Sequence, residues 1–258
     1  MLSYQHAYHA GNLADVHKHA ALASVLDYLI RKDKPLTYLE THAGRGLYDL
    51  SAKEAKKTGE AAEGIEKVET RFPKNHPYRR VLDRVRAKHG ATVYPGSPLV
   101  ATTMLRPDDV IHLAELHPQE SAALTQLMLY YSAQVSKEDG FAMALSRTPP
   151  EPRRGLMLID PSFEVKADYE DLPDFLEQVH RKWNVGVLML WYPLLKSRSH
   201  VDMTSALEAC NFAGAVHHEV RFPPARAGHG MVGSGLFIVN APYGLTEELN
   251  KIAQLLPS

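Results

Sequence analysis

Seven short β-rich runs recur along this 258-residue chain, and the most apolar of them decide its class of fold. They are LTYLE (36–40), VIHLAEL (110–116), AQVSKED (133–139), GLMLID (155–160), VGVLMLWY (185–192), VHHEVRF (216–222) and GLFIVN (235–240). A strand with one wet face alternates apolar and polar residues. GLMLID and VGVLMLWY do not alternate, so both of their faces must be covered. Amphipathic segments such as PQESAALTQLMLYY and DLPDFLEQVHRKW lie between runs and have helical spacing. Buried strands alternating with helices predict an α/β, Rossmann-like fold: one domain over residues 1–258, built on a mostly parallel seven-stranded sheet. Only the loop PPARAGHGMVGS separates the last two runs, which predicts an antiparallel pair at the end of the chain.

One interval breaks the rhythm. About seventy residues separate the first run from the second, several times an ordinary crossover. The excess predicts an inserted helical subdomain over 48–94. Residues 51–90 hold 11 Lys and Arg against 6 Asp and Glu, a local charge of +5 in a chain whose net charge is −1. RFPKNHPYRRVLDRVRAKHG alone carries seven basic residues and one acid, Asp83. Such a stretch is either a solvated helical face or a surface that contacts phosphates.

The near-zero total charge points to no nucleic-acid or membrane partner by itself. The single cysteine, Cys210, excludes an internal disulfide and fits a reducing cytoplasm. MLSYQHAYHAGN has no signal-peptide pattern, and VGVLMLWYPLL is too short to span a bilayer. A cytoplasmic protein with no membrane partner is expected.

In an open parallel sheet, ligands bind beyond the carboxyl ends of the strands. After the first run comes Thr41-His42-Ala43-Gly44-Arg45-Gly46, a Gly-x-Gly turn that lets backbone N–H groups approach a ligand. The second run reaches Glu115, placed to accept hydrogen bonds from ribose hydroxyls or simply to begin a helix. The third ends in Asp139-Gly140 and the fourth in Asp160-Pro161-Ser162-Phe163. Three acids and a glycine turn at four strand ends suggest a nucleoside-containing cofactor. The full dinucleotide signature is absent, which suits S-adenosylmethionine (SAM) rather than NAD.

Asp160, Pro161 and Phe163 together suit chemistry on an exocyclic adenine amine, whose lone pair is delocalised into the ring. A carboxylate and the Pro161 carbonyl can accept the two amine hydrogens, while an aromatic ring stacks on the base. The plainer reading is an Asp-Pro turn with Phe163 in the core. Asn240-Ala241-Pro242-Tyr243 partly copies the motif and reads as a turn. From Asp15 a helix is expected with Leu22, Val25, Leu26 and Leu29 on one face, and with Lys18 and His19 at its N-terminal end. His17-x-His19 invites a metal site, but residues i and i+2 of a helix point in different directions, so no metal is expected.

MLSYQHAYHAGNLADVHKH, YLETHAGRGLY, YPGSP, AELHP, DGF and RGLMLIDPSFE with KADY resemble, in that order, the bacterial 23S ribosomal RNA adenine-N6 methyltransferase family (RlmJ-like). The resemblance runs from residue 1 to the final strand. It implies a SAM-dependent methyltransferase fold with an inserted helical subdomain, using SAM to methylate the N6 amine of one adenine in 23S ribosomal RNA. It implies a cofactor site of His19, His42, Gly44, Ser97, Glu115, Asp139, Gly140 and Asp160. Asp160 would also engage the target amine, and Tyr4 and Lys18 would contact RNA. The protein is expected to act as a monomer. The family's tetrapeptide is similar to Asp-Pro-Pro-Tyr or -Phe, whereas the third residue here is Ser162. Loss of that proline frees one φ angle, at about 0.4–1 kcal/mol of preorganisation. Two alternatives follow: a catalytically weakened RNA-binding protein of the same fold, or a metal-dependent hydrolase built on the histidine-rich start.

Overall fold

The computed structural model describes residues 5–224 and 230–257. Among the described residues there are nine strands: β1 (Thr37–Glu40), β2 (Leu47–Asp49), β3 (Val93–Pro95), β4 (Val110–Ala114), β5 (Gln134–Ser136), β6 (Gly155–Ile159), β7 (Val187–Leu195), β8 (Val216–Arg221) and β9 (Met231–Val239). The first helices are α1 (Leu13–Ile30), α2 (Lys53–Thr58), α3 (Glu60–Glu63), α4 (Ile65–Val68), α5 (Pro77–His89) and α6 (Ser97–Met104). The rest are α7 (Pro118–Met128), α8 (Gly140–Arg147), α9 (Lys166–Lys182), α10 (His200–Ala209) and α11 (Leu245–Leu255).

All seven expected strands join one sheet, in the order β5-β4-β1-β6-β7-β9-β8. Strands β5, β4, β1, β6 and β7 run parallel. β9 lies antiparallel between β7 and β8, because the short connection from β8 forces a hairpin. The sheet is buried on both faces, as the unbroken apolar runs require. Leu156 and Leu158 of β6 enter a core with Tyr38 and with Leu22 and Leu26 of α1. Met157 and Ile159, one residue over, enter a second core with Leu172 and Leu176 of α9. Each such leucine contributes on the order of 1.5–3 kcal/mol by leaving water. The edge strand β8 alternates instead, with Val220 buried and His217, Glu219 and Arg221 exposed. Among the described residues no helix is long and apolar enough to cross a membrane.

The long interval between β1 and β4 holds β2, α2–α5, β3 and α6. β2 and β3 pair antiparallel, Tyr48 opposite Tyr94, and so close the base of the segment. These two strands were not expected. Ile65, Val68, Phe72, Tyr78, Leu82 and Val85 enter the same core as α1, so the segment shares the main core. Its basic stretch is largely spent on internal partners. Arg79 and Arg86 both pair with Glu69, Arg80 pairs with Asp27, and Arg71 donates to the Leu255 carbonyl.

Candidate active site

The N-terminal end of α1 enters the protein beside the carboxyl edge of the sheet. Asn12 caps it by accepting from the Asp15 N–H at 2.9 Å. α1 is buried on nearly every side, so polar residues in its first turns meet protein rather than water. Lys18, 4% exposed, is held between two acids: Asp160 Oδ2 at 2.5 Å and Asp15 Oδ1 at 3.2 Å. Burial alone would strip its proton, but Asp160 and Asp15 outweigh that and hold it charged. Asp15 also accepts from the Gly11 N–H at 2.9 Å and meets His6 Nε2 at 2.8 Å. Burial pushes the Asp15 carboxyl upward, yet His6 and Lys18 bring it well below the usual carboxylate range.

β1 ends in an acid whose position in the sequence did not mark it as part of the site. Glu40 is fully buried and accepts from the Tyr38 hydroxyl at 2.9 Å and from the Ser97 hydroxyl. Burial pushes its pKa up to about 8, against the pull of those two hydrogen bonds. Glu40 is the last residue of its strand, whereas Asp160 and Glu115 each lie one residue beyond theirs. Ser97, expected at the cofactor, directs its hydroxyl to Glu40. His19 is buried with Nδ1 2.8 Å from the Tyr94 hydroxyl, and burial lowers its pKa to about 3.

Next to β1 the Gly-x-Gly turn meets the end of β4. Glu115 Oε2 accepts from the Gly44 N–H at 2.8 Å, and Oε1 accepts from the His117 N–H at 2.7 Å. Burial raises the Glu115 pKa, while the two backbone donors oppose the shift. An ionised carboxylate has about four acceptor sites, so capacity for two more donors remains. Asp139 caps α8 by accepting from the Ala142 N–H at 2.8 Å. At Gly140 a Cβ would lie 1.8 Å from the Thr41 carbonyl oxygen, so only glycine lets α8 start this close to β1. The His42 ring meets Phe141 edge-on at 5.1 Å and lies within electrostatic reach of both Asp160 and Asp139. Burial lowers its pKa to about 4. Glu115 after β4 and Asp139 after β5 could accept hydroxyl hydrogens, and Gly140 allows a close backbone approach, the chemistry that a ribose-bearing cofactor needs.

The tetrapeptide after β6 departs from one expectation. The Asp160 side chain is 13% exposed, and its single hydrogen bond among the described residues is accepted by Oδ2 from Lys18. Pro161 is buried and Ser162 exposed. Phe163, expected to offer a stacking face, is 8% exposed and packs its ring against Tyr169 at 4.7 Å and Trp191 at 6.1 Å. Its backbone takes φ +54°, a left-handed conformation that turns the ring into the core. The half-exposed ring beside Asp160 is Trp191, level with it because Ile159 pairs with Leu190. Lys18 Nζ lies 5.1 Å from the Trp191 ring centre, and the indole N–H donates to Ser234 Oγ at 2.8 Å. Ser234 in turn meets His17 Nδ1 at 2.9 Å, and His17 Nε2 meets His218 Nδ1 at 3.1 Å.

His17 and His19 thus go to separate partners and share no ligand position. The Asn240 copy lies at the opposite edge of the sheet, since β9 runs antiparallel. Its side chain donates to the Asn184 and Gly186 carbonyls, as a turn would. Lys18, His42, Gly44, Glu115, Asp139, Gly140 and Asp160 gather along one edge of the sheet, with His19 and Ser97 buried behind them. Tyr4 lies outside the described residues.

Comparison with known proteins shows the family. A family model described as ribosomal RNA large subunit methyltransferase D, RlmJ, matches residues 33–258. Ribosomal RNA large subunit methyltransferase J of Escherichia coli K12 is 36% identical over 262 residues, covering 100% of this chain and 94% of that one. The protein of the same name from Haemophilus influenzae is 35% identical, covering 99% and 93%. A crystal structure of a Legionella pneumophila protein superposes with TM-score 0.87 at 36% identity, covering 96% of this chain and 92% of that one. The chain belongs to the RlmJ family of ribosomal RNA large subunit methyltransferases.

Proposed function

We propose that this chain transfers a methyl group from SAM to the N6 amine of one adenine in 23S ribosomal RNA, acting as a monomer in the cytoplasm. Ribosomal RNA as substrate and SAM as methyl donor follow from the family; the adenine amine is read from the site. The observation that carries the reading is Asp160, a carboxylate at the carboxyl edge of the sheet, fixed by Lys18 through one oxygen only. Glu115, Asp139, Gly140, Gly44 and His42 would hold the cofactor across the ends of β1, β4 and β5. SAM bound there supplies a methyl group on a cationic sulfur.

The remaining work belongs to the chain. Lys18 holds Asp160 Oδ2 through a charged hydrogen bond, which leaves Oδ1 to accept one hydrogen of the amine. The Pro161 carbonyl accepts the other, so the nitrogen lone pair is drawn out of conjugation. Holding donor and acceptor in line supplies most of the acceleration, since no covalent intermediate is needed, and the proton that the nitrogen sheds once methylated leaves by way of Asp160 Oδ1. The inserted segment over 48–94 is the subdomain that meets RNA on the α2 side, where Lys53, Lys56 and Lys57 are exposed.

The test is incorporation of labelled methyl groups from SAM into large-subunit RNA taken from cells without this modification, followed by nucleoside analysis. Labelled N6-methyladenosine is expected. Label at another nucleoside, or none, overturns the proposal.

A further inference from the structure

The sheet does not end at one level. β6 stops at Ile159, opposite Leu190, while β7 runs on to Leu195 and stays paired with β9 through Leu195 opposite Met231. β8 follows as far as Arg221, opposite Gly233, and the Lys196 N–H still donates to the Gly230 carbonyl at 3.0 Å. Three strands therefore form a ledge that projects past the edge where Asp160 sits. Asp160 is level with Trp191, and Lys196 lies five residues further on, roughly 16 Å at the rise of a β-strand.

The ledge is basic and its charges are free. Lys196, Arg198 and Arg221 are exposed, and among the described residues none has an acidic partner. Both arginines lie within electrostatic reach of His200. The basicity of His200, at the start of α10, is held down by burial, raised by Glu219, and lowered again by Arg221 and Arg198. The nearest acids are otherwise engaged or turned elsewhere. Glu219 accepts from the Tyr192 hydroxyl at 3.0 Å and sits 3.5 Å from His217. Asp202, in the first turn of α10, acts on Lys166. In the inserted segment Arg79, Arg80 and Arg86 already neutralise Glu69 and Asp27, whereas Lys74, Arg84 and Lys88 are exposed with no acidic partner among the described residues, so that position alone sets them apart from the ledge. A cation spent on a protein carboxylate releases no counterion when a phosphate approaches, and an unpaired one does.

We propose that the ledge of Lys196, Arg198 and Arg221 is a phosphate-backbone contact surface for the RNA strand whose target base lies at Asp160. The proposal rests on the reading of this chain as a ribosomal RNA methyltransferase. The strand crosses the sheet edge between two basic banks, the α2 lysines on one side and the ledge on the other. The ledge adds affinity and fixes the direction of the strand without reading its sequence, since it touches only phosphates.

The experiment compares the full-length protein with two triple variants, K196A/R198A/R221A and K74A/R84A/K88A, the second removing exposed cations of the inserted segment. Binding to transcribed large-subunit RNA is measured from 50 to 300 mM KCl. The ledge variant is expected to bind about tenfold more weakly at 100 mM. Its log–log salt slope should be shallower by about 2, at about 0.7–0.9 for each phosphate that is no longer neutralised. Its SAM affinity, measured by calorimetry, should be unchanged. The second variant should keep the affinity and slope of the parent. A ledge variant with parental affinity and slope overturns the proposal, as does an equal loss in both variants. Methyl incorporation by the parent into the same RNA is read in parallel. A parent that methylates while the ledge variant binds normally sinks the ledge alone. A parent that fails to methylate sinks the functional reading alone.

Discussion

Lys18 Nζ stands 2.5 Å from Asp160 Oδ2 and 3.2 Å from Asp15 Oδ1, so one buried cation ties the first turns of α1 to the end of β6. Removing one partner of a buried pair costs more than the pair gains, because the survivor is left desolvated and unpaired. Lys18→Met leaves Asp160 without its partner and Asp15 with only His6 and the Gly11 N–H among the described residues, and is expected to lower stability by about 3–5 kcal/mol in urea unfolding. Adding Asp160→Asn to that variant removes one stranded charge and should restore part of the loss. A double variant no more stable than Lys18→Met alone contradicts the pairing. Asp160→Ala in the parent should abolish methyl transfer while SAM binding persists in part.

Gly140 gives a separate handle on the cofactor. A Cβ there would stand 1.8 Å from the Thr41 carbonyl oxygen, and backbone cannot yield as a side-chain tip does. Gly140→Ala must push α8 away from β1, which separates Asp139 and Gly140 from Gly44 and Glu115. SAM affinity measured by calorimetry should fall at least tenfold. Gly59→Ala also strains a left-handed glycine, but no atom lies within 4 Å of its added carbon. It should leave SAM affinity alone, and an equal loss in both variants would show that Gly140 is an ordinary backbone position.

Strands β6 and β7 were legible because burial on both faces demands unbroken apolar sequence, and β1, β4, β5, β8 and β9 from shorter β-rich runs set between turns and helical segments. β2 and β3 were not: each has three residues, and Asp49 is exposed. Glu40 escaped because a buried acid inside an apolar run looks like strand until its partners, Tyr38 and Ser97, are seen around it. The +5 of the inserted segment was visible, but the partners that Arg80 and Arg71 find in Asp27 and the Leu255 carbonyl were not, since both lie far away in sequence. The direction of the Phe163 ring depends on one backbone angle that composition does not encode.

Buried histidines and the buried Glu40 bend stability with pH in opposite directions. Burial lowers His17 and His19 to about 3 and His42 to about 4, from 6.5 in the unfolded chain. Below pH 6.5 the unfolded chain binds protons that the folded chain refuses, so these three cost stability progressively as pH falls. Glu40 has the opposite sign. Raised from 4.5 to about 8, it holds a proton in the folded chain that the unfolded chain releases, so stability falls as pH rises through that window. Between 4.5 and 6.5 these histidines, joined by His76, His112, His200 and His218, which burial also lowers, outweigh Glu40 and the raised Glu115, and at higher pH Glu40 dominates. Denaturant unfolding across pH 4.5–8.5 should therefore give maximal stability near pH 6.5. Glu40→Gln should flatten the alkaline side and leave the acid side unchanged. A decline above pH 6.5 that survives the substitution would assign it to another group.

Phe163 carries two demands that a single substitution can separate. Its left-handed backbone, φ +54°, costs about 1–2 kcal/mol for a non-glycine residue. Its ring meanwhile fills space against Tyr169 and Trp191. If the ring only fills the core, Phe163→Leu keeps most of the apolar volume, lowers stability by about 1 kcal/mol, and leaves turnover intact. Stacking on the target base, as the sequence predicts, instead requires the Ser162–Val165 segment to swing the ring outward and release the strain. Leucine then forfeits stacking of about 1–3 kcal/mol per base. On that basis Phe163→Leu is expected to lower kcat/KM for RNA by about 5- to 150-fold with SAM affinity unchanged. Trp191→Phe, which keeps a ring beside Lys18, should retain most activity. Full activity of Phe163→Leu with a large loss in Trp191→Leu would move the stacking face from the tetrapeptide to β7.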